Sequence, residues 1–106
     1  MSHSRREQIE SMLASEPDDP ELRYMLAMEH VSGGEDAAAA NCFADLVRRC
    51  PDYAPGYHQG ARVLQRLDRI REARELLRRG IPVALAQQDN HTAGEMQQFL
   101  DMLELD

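Results

Sequence analysis

The sequence predicts an all-α protein of antiparallel helix pairs stacked in one domain over residues 1–106, with about six helices. Three observations carry that expectation. Apolar residues recur at helical spacing, as in Ala39, Phe43, Leu46 and Val47, which is the stripe a helix turns toward a core. The second is a fixed offset: a shift of 34 residues lays Pro17-Asp18 on Pro51-Asp52, Ala27 on Ala61, Ala39 on Ala73 and Phe43 on Leu77. Self-similarity at such a period marks a stack of repeated units. The third is composition. With two Phe, three Tyr and no Trp, the core must come from Leu, Ala, Val, Ile and Met, which favours helix packed on helix.

The elements follow in order. Ser4 to Ser15 reads as a helix with Ile9, Met12 and Leu13 at helical spacing, and with Ser4 and Glu7 as a capping box. Glu16 to Pro20 stops it, and Asp19 then caps a second helix with Pro20 at its first position. This helix runs to about Val31 and turns Leu22, Leu26 and Ala27 inward, until Ser32-Gly33-Gly34 breaks it. A third helix spans about Glu35 to Cys50. Pro55 opens a fourth, in which Tyr57, Ala61, Leu64 and Leu67 share a face. After a turn near Asp68, Ile70, Ala73, Leu77 and Ile81 mark a fifth. Pro82 removes the bond to the Arg78 carbonyl, so a kink or a break with a fresh start is expected there. Asp89-Asn90-His91 reads as a turn, Thr92 with Glu95 as a second capping box, and Met96, Phe99, Leu100 and Leu103 as the buried face of the last helix.

The second copy of the repeat carries Tyr57, Gly60, Ala61 and Leu64, then Ala73 and Leu77. The first carries Arg23, Leu26, Ala27 and His30, then Ala39, Phe43 and Pro51. These spacings resemble the tetratricopeptide repeat, whose pattern is W-x2-L-G-x2-Y, A-x3-F and a closing proline. Arg23 stands where the pattern has an aromatic, His30 where it has tyrosine, and Leu85 where the second copy would end in proline. The resemblance implies a short right-handed solenoid: a leading half-repeat helix (4–15), repeats over 20–51 and 54–88, and a capping helix (92–105). The tail from Ala86 to Met96 is similar to endings of small bacterial proteins of this family.

Charge and motif content narrow the function classes. The net charge of −7 argues against nucleic acid as a partner, because phosphate binding needs a basic surface. All twelve basic residues are Arg, and seven of them fall within residues 62–79 against three acids, so the basic character is one local stripe. Pairs such as Glu75 with Arg79 read as ordinary salt bridges along a helix surface. No apolar run nears the ~20 residues of a membrane span, and the polar start gives no secretory signal, so a cytoplasmic protein that does not engage membranes is expected. Cys42 and Cys50, eight apart on one helix, are too distant for a disulfide. His3, His30, His58 and His91 have no HExxH or CxxC company and no phosphate loop is present, so no enzyme activity, catalytic residue, metal or cofactor is expected.

The resemblance implies a non-enzymatic adaptor that binds a protein or peptide along the concave groove lined by the first helix of each repeat. By position, Tyr24, Met25 and Met28 line it in the first repeat and His58, Arg62, Gln65 and Arg66 in the second, with Glu21, Ser32, Pro55 and Gln59 beside them. The groove then grades from adaptable apolar Met to Arg able to hold a carboxylate, which points to a partner segment with an acidic group. The Lys and Asn set of the family's chaperone-tail clamps is replaced here by Tyr24, Met28, His58 and Arg62. The alternative is a structural self-assembly unit, a homo-oligomer that hides the ends of a short stack.

Overall fold

The computed structural model describes residues 4–105, and Met1–His3 of the polar start lie outside them. The described chain forms six helices: α1 (Arg5–Ser15), α2 (Pro20–Ser32), α3 (Asp36–Arg49), α4 (Ala54–Arg66), α5 (Ile70–Ala86) and α6 (Asn90–Glu104). No strand occurs among the described residues. The period is visible in the boundaries, since α2 and α4 begin 34 residues apart, as do α3 and α5. Each helix packs chiefly on its neighbours in the chain, and α6 also reaches α4. The stack is elongated, 50 × 29 × 19 Å, with one continuous core from Ala27 to Leu103.

Helix starts are set locally. The Ser4 hydroxyl accepts from the Glu7 N–H at 3.1 Å. The Asp19 carboxylate accepts from the Glu21 and Leu22 N–H groups at 2.9 and 3.1 Å, with Pro20 in the first turn. Such caps satisfy donors that the helix itself leaves unpaired. Three helix ends share another device: the N–H groups of Glu35, Arg69 and Asp89 reach back to the carbonyls of His30, Leu64 and Ala84, each at 2.9 Å. The residue before each is left-handed, Gly34 (φ 74°), Asp68 (φ 59°) and Gln88 (φ 61°). This is the Schellman closure, and it reverses the chain tightly enough to lay the next helix antiparallel.

Two expectations are corrected here. The last helix starts at Asn90, and its cap is Asp89, whose side chain accepts from the Thr92 N–H at 3.2 Å. Thr92 therefore does not cap it. The turn lies at Gln87-Gln88, a left-handed glutamine that residue type does not advertise. At Pro82, of the two outcomes expected, the break with a fresh start does not occur, and helix lies on both sides as α5 runs from Ile70 to Ala86. Pro82 and Arg78 are both exposed, so the carbonyl that loses its partner stays within reach of water.

Helices meet closely where small residues face large ones. A Cβ on Gly60 would stand 2.8 Å from Leu76 Cδ2 and 3.1 Å from Phe43 Cβ. One on Gly80 would stand 2.8 Å from Tyr57 Cγ and 3.0 Å from Met96 Sδ. Tyr57, 2% exposed, also donates its hydroxyl to the Pro51 carbonyl at 2.7 Å, and the Arg79 guanidinium lies 5.6 Å above its ring. The Glu75–Arg79 pair expected from the sequence is absent among the described residues, since Arg79 takes the tyrosine face.

Arginines of α5 also fasten α6. Arg74 donates to the Leu103 carbonyl through Nε and Nη2 at 3.3 and 2.8 Å, and Arg78 pairs with Glu104 at 2.5 Å. The last turn of α6 has no basic residue of its own, so Arg74 supplies the cation that a helix C-terminus favours.

Gly80→Ala is expected to destabilise the fold by about 1–3 kcal/mol through overpacking. Gly94→Ala, where an added Cβ meets nothing within 4 Å, is expected to stabilise α6 by about 0.5–1 kcal/mol. Urea denaturation midpoints of the two variants check this, and equal effects would refute the role given to the Gly80 crossing.

Candidate functional site

The helices α2, α4 and α6 alternate with α3 and α5, so α4 and α6 run in the same direction along one face. Between them lies a groove of about 330 Å3. His58, Arg62 and Gln65 form one wall, and Glu95, Gln98, Phe99 and Met102 the other. Three of the residues expected to line a groove are thus brought together.

Their states differ. His58 is half-buried; burial holds its imidazole below the usual histidine range, with Glu95 pulling it up and Arg62 pushing it down. Arg62 is exposed and, among the described residues, makes no hydrogen bond or ion pair. Its charge still reaches the Tyr24 phenol, which burial raises and Arg62 lowers. Glu95 Oε1 lies 3.2 Å from His91 Nε2.

The other expected residues have different surroundings. Arg66 is held by its own chain, with Nε and Nη2 at 3.1 and 3.0 Å from the two Asp36 oxygens. That bidentate bond lowers the Asp36 pKa. Tyr24 and Met28 pack against the core, the Tyr24 ring lying 6.1 Å from Phe43 and 5.8 Å from Tyr53. Met25 is half-buried on the same helix. None of these four lines the α4–α6 groove.

A larger cleft of about 590 Å3 opens between α3 and α5. Its floor is core, since Phe43, Val47, Leu64 and Leu76 are at most 8% exposed. On its rim Arg48 pairs with Asp45 and Arg69 with Glu72, both at 2.5 Å. Volume alone therefore does not make it the better site. Elsewhere, Cys42 is half-buried and its thiol is pushed up, by burial first and then by Asp45, the reverse of an activated nucleophile. No group of three or more His, Cys, Asp or Glu gathers for a metal among the described residues. No described helix is long and apolar enough to cross a membrane.

The family described as tetratricopeptide repeat matches residues 2–62. The chain belongs to the tetratricopeptide repeat family. Two structures of a tetratricopeptide repeat domain protein from Salinibacter ruber are similar to it. The solution structure is 33% identical with a TM-score of 0.78, over 83% of this chain and 89% of its own. The crystal structure is 32% identical with a TM-score of 0.77, over 81% of this chain and 97% of its own. A protein from Bordetella parapertussis, 24% identical, aligns over 97% of this chain and 90% of its own with a TM-score of 0.79, a likeness of fold alone. Among curated proteins none matches. Tetratricopeptide folds generally mediate protein–protein interaction, and the family's members are generally non-enzymatic scaffolds.

Within this tetratricopeptide stack, the α6 wall is what the sequence reading missed. Phe99, expected on the buried face of the last helix, packs half-buried against the core and also lines the groove. A usable signal existed: α6 begins 36 residues after α4, and that offset carries Gln59 to Glu95, Arg62 to Gln98 and Arg66 to Met102. Placing the cap at Thr92 hid the correspondence.

Because the folded state disfavours protonated His58, it binds fewer protons than the unfolded chain. The stability this contributes is present above about pH 6.5 and lost as pH falls through the lowered folded value. His58→Gln should flatten that part of a thermal-midpoint profile. An imidazole titration by NMR that placed His58 at or above 6.5 would contradict it.

Proposed function

We propose that this protein is a non-enzymatic adaptor that binds a protein or peptide segment along the concave face of α2, α4 and α6. Arg62 is the observation that carries the reading: an exposed guanidinium in a groove, left without a carboxylate partner among the described residues. The repeats over 20–51 and 54–88 serve as the scaffold, the leading helix and α6 close its two ends, and no cofactor is required. Tyr24, Met25 and Met28 offer apolar contact, and His58, Arg62 and Gln65 offer polar contact. Arg66, bonded to Asp36, keeps α4 against α3 and so shapes the same face. The cytoplasm is the compartment that fits two free thiols.

Selection from a random peptide display library tests this. The enriched peptides should lose about 10-fold or more in affinity for Arg62→Glu, since a hydrogen bond to a charged group contributes about 1.5–3 kcal/mol. They should bind Arg71→Glu, a change at an exposed α5 residue outside the groove, as they bind the native protein. Enriched peptides indifferent to Arg62 would remove this groove as the site.

A second reading, association of copies, draws on the exposed Leu85 (53%) and Met102 (62%). Sedimentation velocity over a range of concentration and salt decides it, and a monomer throughout rules it out.

A further inference from the structure

The two walls of the α4–α6 groove run in parallel, so their residues can be matched level by level. On α4, His58, Arg62 and Gln65 stand about 6 and 4.5 Å apart along the axis, at 1.5 Å per residue. On α6, Glu95, Gln98 and Met102 stand about 4.5 and 6 Å apart by the same rise. Glu95 acts electrostatically on His58, which sets them at the same end. Arg62 and Gln98 then form the middle, and Gln65 with Met102 the far end, with Phe99 between.

Elsewhere on this chain, arginines find carboxylates of their own: Arg66 takes Asp36, Arg69 takes Glu72 and Arg78 takes Glu104. Arg62 and Glu95 share one groove with opposite charges and form no ion pair with each other among the described residues. Among the described residues, Glu95 pairs only with an exposed histidine, His91. The groove therefore presents an anion, a cation and an apolar patch in a line, the first two awaiting charges of opposite sign. Gln65 and Gln98 add amides that can bond a peptide backbone. Such amides suit an extended chain, whose backbone groups are free to bond, better than a helix, whose backbone is bonded to itself. The groove runs along about 10 Å of wall, at 1.5 Å per residue, and holds about 330 Å3.

We propose that this groove recognises an extended segment carrying a basic, an acidic and a large apolar residue at alternate positions, the acidic one in the centre. The basic residue meets Glu95, the acidic one Arg62, and the apolar one Phe99 and Met102. Alternate side chains of an extended chain share a face and recur every ~6.6 Å, close to the spacing of the subsites. The inference rests on the adaptor reading of the same groove and specifies its ligand.

Four blocked nine-residue peptides test it, each titrated against the 15N-labelled full chain, where amide shifts detect millimolar binding. Their central five residues are Lys-Ala-Glu-Ala-Leu, its reversal Leu-Ala-Glu-Ala-Lys, the swap Glu-Ala-Lys-Ala-Leu, and the neutral Lys-Ala-Gln-Ala-Leu. One of the two acid-centred peptides should bind at least 10-fold tighter than both the swapped and the neutral one, shifting amides of α4 and α6. Glu95→Lys should then prefer a peptide whose Lys is replaced by Glu, which lost folding alone cannot produce. Equal binding of all four, dependent on Arg62, overturns the charge order while leaving the adaptor reading intact. No shifts from any peptide overturn the inference, and the library selection then judges the adaptor reading separately. Shifts that grow with protein concentration alone assign the groove to a second copy and equally overturn it.

Discussion

The crossing of α4 and α5 at Gly80 is the constraint on which the rest of the stack depends. Any side chain at that position would run into Tyr57, and Met96 of α6 closes on the same spot. Three helices therefore meet at one absent Cβ. Tyr57 is tied at its other end to the Pro51 carbonyl, so the place where one repeat closes is linked to the place where the next one crosses. Interiors pack densely enough that a displacement of one methyl group is felt. The position of α6, and with it one wall of the groove, follows from how near α4 and α5 can come.

Charge completes the arrangement. A chain of net charge −7 presents a basic stripe that is mostly occupied with its own structure: Arg74 and Arg78 hold the end of α6, Arg79 covers Tyr57, and Arg69 bonds Glu72 within α5. These bonds lie at the surface, where each is weak alone, but those of Arg74 and Arg78 converge on α6, the element that forms the groove's far wall. Between α4 and α6, Arg62 and Glu95 face one space and form no ion pair with each other among the described residues.

Much of this was legible in the chain. Ser4, Asp19 and Pro20 announce helix starts by their own chemistry, because a cap bonds N–H groups only two or three residues away. The 34-residue offset announces the stack, because each unit must present the same face to its neighbour. His58, Arg62 and Gln65 come from the family resemblance, and the three line one groove. The misses have a common cause. Gln88 adopts a left-handed turn without glycine, so the start of α6 was set too late and its groove residues were overlooked. Asp36 lies 30 residues from Arg66, and nothing in local spacing pairs them.

The amino-acid sequence by itself determined the helices, their period and their family, since caps, apolar spacing and small residues at crossings act over a turn or recur at a fixed interval. Only the tertiary structure decided which arginines are committed. Arg62 and Arg66 are one helical turn apart and chemically alike, yet one faces an open groove and the other lies against Asp36 of α3. The reason is geometric: an ion pair depends on where two separate helices place their side chains in space, and that is set by the approach of α3, α4 and α5 across residues too small to hold them apart.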